Sequence, residues 1–176
     1  MFQILRKRWR NLSLKDIDIS KVTYFDLNNE INIPINGQIQ LGKDKEALEA
    51  FLNENVKPNT KQFSSIKERI NYLIQNNYYE EEFISKYSFE FIEKLYDYLK
   101  KEDFHFKTFM AAYKFYAQYA LKTDDNAYYL ENFIDRVATN ALYFGDGDEK
   151  LALELADELI HQRYQPATPS FLNAGR

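Results

Sequence analysis

Two hydroxyls, Thr168 and Ser170, stand two positions apart in "PATPS", on a segment stiffened by Pro166 and Pro169. Uncharged hydroxyl and backbone donors held on a stiff, extended segment can orient a phosphate with little further ordering. A turn followed by a strand has the same pattern, and Ser170, Phe171 and Leu172 read as the start of a buried strand. Acidic groups three or four apart, in Glu80-Glu81-Glu82 and in Glu154, Asp157 and Glu158, could in principle share a proton or a metal. No histidine stands at ligand spacing from either group, so solvated helix faces are the better reading. His105 and His161 are isolated and match no His-Glu-x-x-His pattern, which favours structural or surface roles. Gly145 and Gly147 in "FGDGDEK" lack a third glycine, a Gly-Lys-Ser/Thr run and a preceding strand; a tight helix connection fits better than a phosphate loop.

The elements that carry these residues are mostly helical. The chain has 14 Tyr and 14 Phe beside only 5 Gly, which favours helices packed through large rings over a turn-rich β fold. Residues 1–22 show no sustained period and read as a leader, with Arg6, Lys7, Arg8 and Arg10 clustered around Trp9. Ile31, Ile33 and Ile35 alternate before Asn36-Gly37, and Ile39 and Leu41 after it, which predicts a β-hairpin with Pro34 on an edge arm. A helix is expected from Asp44 to Asn55 with Ala47, Leu48, Phe51 and Leu52 on its apolar stripe. Ser65 with Glu68 predicts a capping box opening the next helix. A short acidic helix follows from Tyr79 to Ser85, then one opened by Ser88 with Phe91, Ile92, Leu95, Tyr96 and Leu99 inward. In "KTFMAAYKFYAQYALKT" the spacing places Met110, Tyr113, Tyr116, Ala117 and Ala120 inward. The rings Phe109, Tyr113, Phe115, Tyr116 and Tyr119 could form a base-stacking platform, but their helical spacing on an acidic chain favours core. Helices from Ala127 to Phe144 and from Asp148, a candidate N-cap, to His161 complete the series.

A formal net charge of −4 argues against nucleic acid as a partner, and no apolar run reaches the roughly 20 residues of a membrane span. The expected location is cytoplasmic. Cysteine is absent, so these 176 residues supply no disulfide, thiolate metal site or thiol nucleophile.

The blocks "FDLNNEINIPINGQIQLGKDKEA", "NYYEEEFISKYSFEFI", "FHFKTFMAAYKFYAQYALKT", "GDEKLALELADELI" and "YQPATPSFLNAGR" occur in order. Together, from Tyr24 to Arg176, they resemble the N-terminal region of the class Ib ribonucleotide reductase large subunit. The resemblance implies a mainly α fold: a leader (1–22), a hairpin plus helix like a shortened ATP-cone (23–60), a helical domain (61–163) and the start of the catalytic barrel (164–176). It implies reduction of ribonucleoside diphosphates to deoxyribonucleotides by cysteine radical chemistry, with Thr168 in contact with the substrate's phosphates. It assigns no catalytic, metal or cofactor residue here; a dimetal–tyrosyl radical centre is expected on the small subunit. Because the radical cysteine strand would follow Arg176, the expectation is a split subunit, inactive alone and completed in trans by a cysteine-bearing fragment. A truncated intact subunit would give the same sequence. The alternative is a stand-alone nucleotide-sensing or protein-interaction module.

Overall fold

The computed structural model of the chain describes residues 41–176. The leader and the Asn36-Gly37 hairpin lie outside the described residues. The chain divides into two units, 1–46 and 47–176, and all of the packing below belongs to the second.

Helix α1 (Leu41–Ala50) runs directly into a wide π-helical turn (Phe51–Val56) and a 3-10 turn (Lys57–Asn59) that carries Pro58. The expected stripe is realised in part: Leu48 is buried and Phe51 and Leu52 are half-buried, whereas Ala47 is exposed. Helix α2 (Ile66–Gln75) opens at Ser65, whose hydroxyl accepts from the Glu68 amide at 3.1 Å. The return bond of the expected capping box goes one residue further back, from the Ser64 amide to the Glu68 carboxylate at 2.7 Å. Helix α3 (Glu81–Ser85) is a short step to α4 (Phe89–Lys101), capped by Ser88. In α4 the residues Phe91, Ile92, Leu95, Tyr96 and Leu99 are all buried, as their 3.6-residue spacing requires.

Helix α5 (Phe109–Lys114) also passes into a π-helical turn, Phe115–Tyr119. Here the inward face differs from expectation: Ala112, Phe115, Tyr116 and Ala120 are buried, while Met110 and Tyr113 are about half exposed and Ala117 is exposed. The wide turn is part of the reason. It closes a bond from the Ala120 amide to the Phe115 carbonyl at 2.9 Å, so residues five apart share a face.

Residues 127–132 were expected to be helical. They form no helix; isolated bridges join Tyr129 to Thr60 and to Lys122, and Asn132 is extended. Helix α6 (Phe133–Gly145) begins after them, at a complete capping box formed by Asn132 and Asp135. Helix α7 (Glu149–Ile160) starts at Asp148, whose carboxylate accepts from the Lys150 and Leu151 amides.

The final segment corrects the expected strand. Thr168–Asn173 is a short helix, α8, and within the described residues there is no start of a barrel strand. Pro169 lies in its first turn, where the missing N–H costs nothing and the fixed φ already suits a helix.

The main core lies between α2, α3, α4, α6 and α7; a smaller aromatic cluster forms around Val56, Phe115, Tyr116 and Ala120. Phe133 links them, stacked on Phe104 at 4.1 Å and edge-on to Phe115 at 5.4 Å. Small residues let α6 and α7 approach closely. A methyl added at Gly145 would sit 2.6 Å from the Tyr87 hydroxyl and 2.9 Å from Ala152 Cβ. That hydroxyl also donates to the Leu142 carbonyl at 3.0 Å and accepts from the Gly147 amide at 2.8 Å, so it has little room to yield. Gly145→Ala is therefore expected to lower the unfolding free energy by about 1–3 kcal/mol, read as a lower urea midpoint at unchanged slope.

Candidate functional site

Thr168 is exposed at the first position of α8, and its Oγ1 lies 3.2 Å from the Tyr119 hydroxyl. Ser170 is exposed too, but the helix changes its relation to Thr168. Residues two apart in a helix point roughly 200° apart around the axis, so the two hydroxyls do not line one face as they would on a strand. A shared Thr168–Ser170 donor pair is excluded in this conformation.

What holds Thr168 in place is the other side of the same segment. Ala174 and Gly175 are buried, and Gly175 has φ of +72°. The Gly175 carbonyl accepts from the Glu80 amide at 3.1 Å, and the Phe171 carbonyl accepts from Asn140 Nδ2 at 3.2 Å. Arg136 donates to the Ala174 carbonyl, and Arg176 donates to the Glu131 carboxylate and, at 2.6 Å, to the Tyr119 carbonyl.

These bonds lead into a buried charged network centred on Glu131, which is 1% exposed. Glu131 Oε1 accepts from the Tyr79 hydroxyl at 2.5 Å and meets Arg136 Nη1 at 3.3 Å; Oε2 takes Arg176 and the Leu121 amide, the latter at 3.2 Å. Arg69 closes the far side, 3.1 Å from Asp135 Oδ1, and donates to the Leu130 carbonyl and to the Tyr96 and Tyr79 hydroxyls. Burial pushes the Glu131 carboxyl up, but Arg136, Arg176 and Arg69 with the Tyr79 hydroxyl outweigh it, leaving the carboxyl below its ordinary value. At Asp135 burial wins over Arg69 and the Asn132 amide, and the carboxyl is raised.

None of these five charged residues was singled out from the sequence. The available signal was a charge on an apolar stripe: Arg69 falls beside Ile70 and four positions before Leu73, and Asp135 and Arg136 precede Val137 and Ala138.

Of the other candidates, Tyr119 alone bonds Thr168 among the described residues. Glu80, Glu81 and Glu82 are exposed, Glu82 lying 3.8 Å from Lys86. His161 sits between Glu102 at 3.0 Å and Asp157 at 3.1 Å. Asp157 also accepts from the Tyr98 hydroxyl and from Arg163, and these partners hold its carboxyl below the ordinary value. His105 is exposed beside Asp103. The Gly145–Gly147 connection is a tight turn, with Asp146 at φ of +49° and 2.5 Å from Lys86 Nζ. Among the aromatic candidates, Phe115 and Tyr116 are core, Phe109 and Tyr119 are half-buried, and Tyr113 is exposed. No group of three His, Asp or Glu side chains among the described residues could hold one metal ion, and no described helix is long and apolar enough to cross a membrane.

Residues 24–104 match the family "Ribonucleotide reductase N-terminal", and residues 105–176 match "Ribonucleotide reductase, all-alpha domain". The chain is 49% identical over 153 residues to the ribonucleoside-diphosphate reductase NrdEB subunit alpha of Bacillus subtilis (strain 168), which covers 87% of this chain and 14% of that protein. It is 46% identical over 153 residues to ribonucleoside-diphosphate reductase subunit alpha of the same organism, covering 87% of this chain and 22% of that protein. The Mycoplasma genitalium subunit alpha is 50% identical over 133 residues, 76% of this chain and 18% of its own length. The chain thus spans less than a quarter of the length of these relatives.

Proposed function

Residues 24–176 belong to the N-terminal region of the ribonucleoside-diphosphate reductase large subunit, and on that premise we propose that this segment forms one wall of the substrate's phosphate site. The proposed whole is a class Ib reductase. In it a ribonucleoside diphosphate is reduced by cysteines lying outside these 176 residues, with the radical supplied by a small subunit. The remainder of the large subunit would be joined to this region in one polypeptide or docked onto it in trans.

The observation that carries this reading is the two-sided character of the segment 168–176. Its inner side is bonded to the buried Glu131, Arg136 and Asn140, while Thr168 stands exposed on its outer side. A hydroxyl presented this way has already lost its freedom before the ligand arrives, so a hydrogen bond to a phosphate oxygen costs little further ordering.

The test is steady-state kinetics of the large subunit that carries this segment, combined with the small subunit. Thr168→Ala is expected to raise KM for the ribonucleoside diphosphate about tenfold, the loss of one hydrogen bond to a charged group. Thr168→Ser is expected to restore most of it. An unchanged KM in Thr168→Ala would remove Thr168 from the site. Docking in trans is tested by mixing this chain with a cysteine-bearing remainder and the small subunit: deoxynucleotide formation supports it, and no turnover from the mixture rules it out.

A further inference from the structure

Tyr119 touches the segment 168–176 at its first, fourth and last residues. Its hydroxyl lies 3.2 Å from Thr168 Oγ1, its ring packs edge-on against Phe171 at 5.7 Å, and its carbonyl accepts from Arg176 at 2.6 Å. The π-helical turn Phe115–Tyr119 sets this up: the Ala120 amide bonds back to Phe115, Ala120 itself is extended, and the Tyr119 carbonyl is left to meet the Arg176 guanidinium.

We propose that Tyr119 is a positioning residue for phosphate recognition, its phenol donating to Thr168 Oγ1 so that the Thr168 hydrogen is turned toward a phosphoryl oxygen of the nucleoside diphosphate. This rests on the reading of Thr168 given above. A threonine hydroxyl has one hydrogen and two lone pairs. Unconstrained, that hydrogen rotates among solvent and nearby carbonyls. A phenol is a stronger acid than an aliphatic alcohol, so between these two hydroxyls the phenol takes the donor role. With one lone pair of Thr168 occupied, its own hydrogen is free for an anionic acceptor, and the chain phenol to hydroxyl to phosphate polarises in one direction. Tyr119 need not touch the substrate to have this effect.

Tyr119→Phe isolates the hydroxyl, because the ring against Phe171 and the carbonyl to Arg176 both remain. In the large subunit paired with its small subunit, Tyr119→Phe is expected to raise KM for the ribonucleoside diphosphate about three- to tenfold, with kcat changed less than twofold. The double variant with Thr168→Ala is expected to have the KM of Thr168→Ala alone, since the phenol acts through that hydroxyl. If Thr168→Ala raises KM and Tyr119→Phe does not, the positioning role is wrong while the Thr168 reading stands. If the two effects multiply in the double variant, Tyr119 acts elsewhere and the proposal also fails. If Thr168→Ala itself leaves KM unchanged, both fall together. A purely structural role for the ring predicts wild-type kinetics for Tyr119→Phe, which would equally overturn it.

Discussion

Glu131→Gln is expected to lower the unfolding free energy of the chain by about 3–5 kcal/mol at neutral pH, the usual cost of removing one partner from a buried ion pair. Glutamine has nearly the same shape and can still accept a hydrogen bond from Tyr79. What it cannot do is offset charge. With Glu131 ionised, the network holds Arg69, Arg136 and Arg176 against Glu131 and Asp135; with glutamine, Asp135 alone faces three guanidinium groups, and it bonds Arg69. Arg136, fully buried, is left without a carboxylate partner.

The pH dependence distinguishes this cause from a packing fault. The Glu131 carboxyl is lower in the folded state than its ordinary value, so its contribution is fully present above the unfolded value of about 4.3 and is lost as pH falls through the folded value. Asp135 has the opposite sign: its folded value is raised, so its contribution grows as pH falls and shrinks as pH rises through that value. The Glu131 charge is one cause of that rise, so Glu131→Gln also brings Asp135 down, but the loss of the three-arginine attraction at Glu131 outweighs this. The difference between wild type and Glu131→Gln, measured by urea unfolding, should therefore be flat at neutral pH, where both carboxyls are ionised, and narrower once the solution is acidic enough to protonate Glu131. A gap of constant size down through the carboxylate range would show that charge is not what Glu131 contributes.

Gly175→Ala is the second large effect, and it connects stability to the site. An alanine there must hold φ of +72°, and its methyl would lie 2.7 Å from the Phe83 ring and 3.2 Å from Thr139 Cγ2. Backbone strain of about 1–2 kcal/mol and a similar overpacking penalty act together, for a loss of about 2–4 kcal/mol. Phe83 is itself buried against Tyr79 and Tyr143, so the ring has little space to retreat. The cheaper response is for residues 168–176 to lift away. Hydrogen exchange at the Glu80 amide, which donates to the Gly175 carbonyl, should then accelerate more than exchange at the centre of α4. In the assembled subunit the same variant should raise KM for the ribonucleoside diphosphate as Thr168→Ala does. Unchanged protection at Glu80 would mean that the segment tolerates the methyl.

Local order was legible wherever neighbouring residues decide it. The stripe of α4, the caps Ser65, Ser88 and Asp148, and the tight Gly145–Gly147 turn follow from hydrogen-bonding side chains and helical periodicity within a few positions. The order of blocks from Tyr24 to Arg176 was also sufficient to place the chain among reductase large subunits, as the two family matches bear out. The segment Ser170–Leu172 reads as a strand and folds as a helix because its apolar run is too short for periodicity to separate the two, and Pro169 is compatible with either. The inward face of α5 departs from the regular helical period because a π-helical turn changes the residue count per turn.

By itself, then, the sequence determined the family and the helical class, because these depend on residue identity, block order and short spacing. Only the tertiary structure decided that Thr168 stands on a helix beside Tyr119, that Glu131 pairs with Arg136 of α6 and with Arg176, and that Asp135 pairs with Arg69 of α2. Arg136 is 5 residues from Glu131, but Arg176 is 45 residues from it, and the network's energy comes from shared burial, a property that no local stretch of chain possesses.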